Sequence, residues 1–216
     1  MTDALADYRD ETLVCTRCPL AATRTQVVFG SGDLHAELMF VGEAPGFHED
    51  QSGIPFVGQA GKLLEKLLRG IGLERTDVYV ANVIKCRPPG NRDPHPEEIE
   101  ACESHLFRQI ELIRPTLVAT LGNFATKLLS GQPAGITRVH GVEQHVILGG
   151  NAVTLYPLFH PAAALYTPSM QKVLEQDFAR IPTLLGKPCV SETQSPPAPV
   201  EAREPSLGPA VQLGLF

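Results

Sequence analysis

Carboxylates, an imidazole, an amide and an aromatic ring recur in this chain where apolar runs give way to loops, and cysteines are spread among the same segments. The first such place runs Gly42-Glu43-Ala44-Pro45-Gly46-Phe47-His48-Glu49-Asp50 and on to Pro55-Phe56-Val57-Gly58. Gly42, Gly46, Gly53 and Gly58 let the backbone approach a ligand closely. Glu43, Glu49 and Asp50 place carboxylates where the preceding strand emerges, and Phe56 adds an aromatic face to the same loop. Asn82, flanked by Val80, Ala81, Val83 and Ile84, carries an amide that must find partners, because an unsatisfied buried one costs about 1–3 kcal/mol. It either caps its own turn or serves a ligand. His160 follows an apolar run and precedes Pro161 at a helix start, a setting that keeps an imidazole neutral and suits directional hydrogen bonding.

The cysteines suggest a metal. Cys15 and Cys18 stand three positions apart and are followed by Pro19, which stops regular helix, so both thiolates can turn to one centre. Cys86 ends an apolar strand and Cys102 lies inside a helix, too far apart for the second pair of a zinc ribbon. The wide spacing suits a centre that staples separate chain segments together, and zinc and iron-sulfur both remain open. Cys189, the fifth, falls in a polar tail.

The elements that must position these groups alternate. Apolar runs at residues 37–41, 78–84, 116–121, 142–148 and 152–159 read as strands, and residues 5–14, 60–68, 96–113, 123–129 and 168–185 read as helices. Such alternation predicts a parallel sheet covered on both faces, with ligands at the carboxyl ends of its strands. The loop Arg87-Pro88-Pro89-Gly90-Asn91-Arg92-Asp93-Pro94 is stiffened by prolines and holds arginines near a strand end, where they are candidates for gripping phosphates.

With 216 residues, 43% of them hydrophobic, the chain can bury one sizeable core. There is no run long and apolar enough for a membrane helix and no signal-peptide pattern, so a soluble, cytoplasmic monomer is expected, one that makes no membrane contact. The net charge of -6 does not advertise a nucleic-acid partner; any such protein must segregate its cations on one face. One domain over residues 1–186 is expected, followed by a Pro-rich disordered tail over 187–216.

Taken in order, Gly42-Glu43-Ala44-Pro45-Gly46, Pro55-Phe56-Val57-Gly58, Asn82-Val83-Ile84-Lys85-Cys86-Arg87-Pro88-Pro89-Gly90-Asn91 and His160-Pro161, together with the cysteines, make the chain resemble the family 4 uracil-DNA glycosylases. The resemblance covers about residues 15–185. It implies a three-layer α/β sandwich with a central, mostly parallel four-stranded sheet flanked by helices. It also implies a monofunctional glycosylase that flips uracil from double- or single-stranded DNA and hydrolyses its N-glycosidic bond, initiating base excision repair in a nucleoid-associated setting. Cys15, Cys18, Cys86 and Cys102 would then hold a structural 4Fe-4S cluster. Phe56 would stack on the base, Asn82 would read its N3–H and O4 edge, and Gly42, Glu43 and Ala44 would line it. His160 would donate to the departing O2, while Glu49 or Glu43 orients water, Glu49 being preferred. Arg87, Arg92, Arg138 and His140, with backbone near Ser31 and Gly32, would meet phosphates. Two alternatives stay open: a glycosylase for hypoxanthine or xanthine, and a non-catalytic iron-sulfur module that binds DNA or a clamp.

The tail ends in Val211-Gln212-Leu213-Gly214-Leu215-Phe216, an apolar hexapeptide that a solvated linker has no reason to carry. Gln212, Leu213, Leu215 and Phe216 resemble the peptide by which bacterial repair proteins dock on the sliding clamp, with the tail as tether.

Overall fold

The computed structural model describes residues 2–186. Its central strand β2, Leu38–Gly42, is buried along its whole length, as a strand covered on both faces must be. Around it β1 (Ser31–Gly32), β3 (Tyr79–Asn82), β4 (Leu117–Leu121), β5 (Gln144–Leu148) and β6 (Asn151–Leu158) complete a six-stranded sheet in the order β1-β3-β2-β4-β6-β5. β3, β2, β4 and β6 run parallel, whereas β1 and β5 are antiparallel edges.

The sandwich is therefore as expected, but its sheet has six strands, not four. The parallel centre accounts for the four; β5 alternates half-buried with exposed residues, the pattern of an edge. Ser31–Gly32 has no apolar run of its own and becomes a strand through pairing with Val80 and Tyr79.

Side-chain alternation sends the strands' residues to two cores. Met39, Val41, Tyr79, Ala81 and Val118 pack with residues of α1 (Thr2–Leu13), α4 (Pro96–Ile113) and α5 (Asn123–Ser130). Leu38, Phe40, Val80, Ala119 and Tyr156 pack on the opposite face with α3 (Gln59–Gly70), α8 (Pro168–Ala179) and α9 (Ile181–Leu185). α3 buries Leu63, Leu64, Leu67 and Leu68 along one stripe. The single helix read at residues 168–185 is divided at Arg180, because Pro182 offers no N–H to the Phe178 carbonyl and its ring crowds that turn.

One stretch read as loop is helical. Phe47–Ser52 forms α2, with Glu49 and Asp50 in its first turn and Gly53 closing it at φ 72°, where its N–H donates to the Glu49 carbonyl at 2.8 Å. Short helices α6 (Ile136–Val139) and α7 (Pro161–Ala164) complete the elements the site depends on. Among the described residues no helix is long and apolar enough to cross a membrane. The tail, Cys189 and the terminal peptide with Gln212, Leu213, Leu215 and Phe216 lie outside the described residues.

Candidate active site and metal centre

β2, β3 and β6 end on the same side of the sheet, and a cleft of about 370 Å³ opens there. Glu43, Ala44, Pro45, Gly46, Glu49, Phe56, Asn82 and His160 all line it, so segments far apart along the chain share one cavity. The parallel ladder continues past the strands: Val83 N–H donates to the Gly42 carbonyl at 2.9 Å and Ile84 N–H to the Glu43 carbonyl at 3.1 Å. That pairing fixes the first motif against Asn82.

Asn82 is 2% exposed, and its side-chain amide has no hydrogen-bond partner among the described residues, which leaves its donor and acceptor for an occupant of the cleft. A β-carbon on Gly42 would stand 2.4 Å from Asn82 Oδ1 and 2.8 Å from the Phe56 ring, so only glycine fits between them. Phe56 itself sits at φ 57°, an uncommon conformation for an aromatic residue. Gly61 on α3 makes room for it: a β-carbon there would lie 1.7 Å from the Phe56 carbonyl oxygen.

His160 caps the start of α7, and its Nδ1 accepts the Ala162 N–H at 3.1 Å. That contact places the neutral ring's proton on Nε2, which becomes a donor. Burial pushes the imidazole down to about 4, against a smaller opposing effect of Glu49, so it is neutral at physiological pH. The ring lies 5.6 Å from that of Phe56, inclined by 29°.

The acids differ in how they are held. Glu49 Oε1 accepts the N–H groups of Val57 and Gly58, each at 2.9 Å, which fixes the carboxylate and leaves Oε2 on the Gly46 side. Glu43 is pushed up to about 7, first by burial and then by the charge of Asp93. Asp50, buried on the same helix as Glu49, accepts the Thr25 N–H at 2.9 Å, and Gln51 Nε2 donates to Thr25 Oγ1 at 2.9 Å.

The proline-stiffened loop forms one wall through Pro88, Asn91 and Arg92. Arg92 is engaged by both oxygens of Glu98, at 2.9 and 2.6 Å. Arg87 donates from Nε to Asn91 Oδ1 at 2.6 Å and lies over the Phe47 ring at 5.1 Å. His140 bonds Asp177 at 2.8 Å, while Arg138 is exposed beside a separate hollow lined by residues 132–135. Arg75 donates to the Ser31 carbonyl at 3.1 Å and to Ser31 Oγ at 2.8 Å.

Cys15, Cys18, Cys86 and Cys102 line a single hollow beside α1 and α4, and none is in a disulfide. Among the described residues no three His, Cys, Asp or Glu side chains are gathered as a site for one metal ion; the thiols surround a space instead. Arg24 donates to Cys86 Sγ at 3.3 Å and the Lys85 N–H to Cys102 Sγ at 3.3 Å, while His105 Nε2 lies 3.4 Å from Cys15 Sγ. Burial pushes the Cys86 thiol up to about 11, so thiolate there requires a metal or cation to take the proton's place. Four sulfurs around one hollow, supported by N–H donors, fit an iron-sulfur cluster. Arg24 also donates to the Cys15 carbonyl at 2.7 Å, so this arginine joins two of the cysteine segments.

Sequence reasoning passed over Asp93, Asn91, Lys85 and His105. Asp93 and Asn91 lay in plain view within the proline-rich loop, but only folding brings them to Glu43 and the cleft. Lys85, 1% exposed, was the detectable one: a lysine in the run Val83-Ile84-Lys85-Cys86 has no solvated face to occupy.

Residues 29–180 match the family described as the Uracil DNA glycosylase superfamily. A "Type-4 uracil-DNA glycosylase" of Archaeoglobus fulgidus is 47% identical over 189 residues, covering 86% of this chain and 95% of that protein. The protein of the same name from Sulfurisphaera tokodaii is 46% identical, over 83% of this chain and 84% of its own. That from Thermotoga maritima is 44% identical, with 80% and 90% covered.

Proposed function

This chain belongs to the uracil DNA glycosylase superfamily and is a uracil-DNA glycosylase, and we propose that its cleft reads and releases the base through Phe56, Asn82, His160, Glu49 and Glu43. The observation that carries the assignment is the tautomer of His160: with Nδ1 occupied by the Ala162 N–H, Nε2 is left as a donor in the same cleft as the unpartnered Asn82 amide.

In this reading a uracil extruded from the helix enters the cleft and lies against the Phe56 ring. The Asn82 amide accepts from N3–H and donates to O4; cytosine offers those groups reversed and leaves the amide unsatisfied. The turn from Glu43 to Glu49, whose Ala44 and Pro45 line the cleft, walls off the position a thymine methyl would take. As the glycosidic bond breaks, negative charge collects on uracil and positive charge on the sugar. His160 Nε2–H donates to the departing O2, a bond worth several kcal/mol once the seated base has displaced water from the cleft. Glu49, held by two backbone donors, directs a water at the sugar with Oε2, and anionic Glu43 adds to the field that stabilises the cationic sugar.

We assign Cys15, Cys18, Cys86 and Cys102 to a 4Fe-4S cluster. Bound there it ties the chain around α1, β3 and α4 together, and hydrolysis asks no electrons of it. Of the cations, Arg87 and Arg138 are the better candidates for phosphates, since Arg92 and His140 are committed to Glu98 and Asp177. Gln212, Leu213, Leu215 and Phe216 are proposed to tether the enzyme to a sliding clamp, a reading that rests on the sequence alone.

The test is purified, iron-loaded protein on oligonucleotides holding uracil, hypoxanthine or thymine, followed by alkali to reveal abasic sites. Cleavage at uracil alone is expected. Preferred cleavage at hypoxanthine would move the assignment to another deaminated base, and no cleavage by protein with intact iron would leave a binding module. Removing residues 211–216 should abolish retention on clamp-coated beads and leave excision from short oligonucleotides unchanged.

A further inference from the structure

The ammonium of Lys85 is enclosed in the protein and donates two hydrogen bonds, to the backbone carbonyl of Asn82 at 2.8 Å and to Gln109 Oε1 at 2.6 Å. Among the described residues no carboxylate pairs with it. Gln109, fully buried on α4, is itself oriented by donating from Nε2 to the Phe29 carbonyl at 2.8 Å and to the Tyr79 hydroxyl at 3.3 Å. The Lys85 backbone N–H meanwhile ends on Cys102 Sγ, one turn or more away along α4 from Gln109.

An enclosed ammonium with no carboxylate to pair with is an expensive residue, and away from the neighbouring sulfurs of Cys86 and Cys102 its only partners are the two oxygens it donates to. Its return must lie in what it holds. The carbonyl it grips closes β3 and begins the peptide plane after Asn82, so the grip sets the direction of the strand end that carries the Asn82 amide. Gln109 fixes where the ammonium can stand. The chain of contacts therefore runs from α4 to the unpartnered Asn82 amide in the cleft.

We propose that Lys85 is a positioning residue for base selection, holding Asn82 in the orientation that accepts uracil and anchoring that orientation to α4 through Gln109. The proposal rests on the assignment of Asn82 as the base-reading amide. It adds that the amide's aim is set from behind by Lys85.

The experiment is a double-mutant cycle with Lys85→Met and Asn82→Ala in the iron-loaded protein. Met keeps the length of the side chain and removes the ammonium. Lys85→Met is expected to slow single-turnover excision by about tenfold or more and to weaken inhibition by free uracil by a similar factor, as a misaimed group does. Iron content and binding to abasic-site DNA should stay within about twofold of wild type, and in the Asn82→Ala background Lys85→Met should cost less than about twofold, since it acts through that amide. Gln109→Leu is a second route to the same point and should reproduce the pattern in weaker form.

Multiplicative losses in the double variant would overturn the proposal, as would undiminished uracil inhibition in Lys85→Met. Shedding of iron or unfolding by both Lys85→Met and Gln109→Leu would also overturn it, by assigning the pair to the metal centre or the core. Failure of the uracil assignment looks different: wild type and every variant would leave uracil in place.

Discussion

The ring of Phe56 lies across Gly42 so closely that a β-carbon at Gly42 would stand 2.8 Å from it. The same added atom would meet Asn82 Oδ1 at 2.4 Å, so one methyl group would displace both the Phe56 ring and the Asn82 amide. Gly42→Ala is accordingly expected to cost about 100-fold in single-turnover excision, the usual penalty for misplacing reacting groups by an ångström. Its melting temperature should also fall by several degrees, because the added carbon overpacks a buried strand end, at a cost of about 1–3 kcal/mol. Rapid-quench rates and thermal melts on one preparation give both answers.

His160 bears its proton on Nε2 because Nδ1 is taken by Ala162. His160→Ala removes the donor to the leaving oxygen and should slow excision by about 100- to 1,000-fold, the range seen when an oxyanion donor is lost. Affinity for abasic DNA should hold. A variant rate within about threefold of wild type would remove His160 from the chemistry.

Glu49→Gln keeps an oxygen for the Val57 and Gly58 N–H groups, so the helix it sits on should stay in place. What it loses is charge and basicity toward water. A fall of about 100-fold or more in single-turnover rate is expected; an unchanged rate would transfer the water-directing role to Glu43.

Glu43 gives a pH signature. Folded, it keeps its proton up to about pH 7, whereas its ordinary value is 4.5. The folded chain thus binds the extra proton between these values, so Glu43's stabilising contribution is complete below 4.5 and is lost as pH rises through about 7. Excision should run the other way and climb through the same window as the anion forms. In Glu43→Gln both slopes should flatten, as paired melts and rate profiles from pH 5 to 9 would reveal.

Cys86 accepts from Arg24 and belongs to the sulfur-lined hollow. Cys86→Ser should lower bound iron, bleach the absorbance near roughly 400 nm that thiolate-held iron gives, and reduce the melting temperature. Retention of full iron content would exclude Cys86 as a ligand.

Much of this arrangement was legible because strand ends announce themselves. Apolar runs that stop at Gly42 and at His160 give both the sheet and the side on which its ligand must sit, whereas the run read over 78–84 continues past Asn82, where β3 ends. β1 escaped because Ser31 and Gly32 have no strand character until Tyr79 and Val80 pair with them. The division of the last helix at Arg180 was present as Pro182 but lost in an otherwise continuous apolar stripe. Charge partnerships were least legible: nothing in the order of residues says that Glu98 will occupy Arg92, that Asp177 will occupy His140, or that Asp93 will raise Glu43. Such pairings depend on loop geometry, which local sequence specifies weakly.

Arg24 holds the Cys15 carbonyl and the Cys86 sulfur, and its neighbour Thr25 holds Asp50, which stands beside Glu49 on α2. Two adjacent residues thus join the sulfur-lined hollow to the helix that carries Glu49. Were the proposed cluster lost, the segment of Arg24 and Thr25 would be freed at one end, and the seat of α2 under Glu49 would loosen with it. Damage on the sulfur side would then reach the cleft through two neighbouring residues.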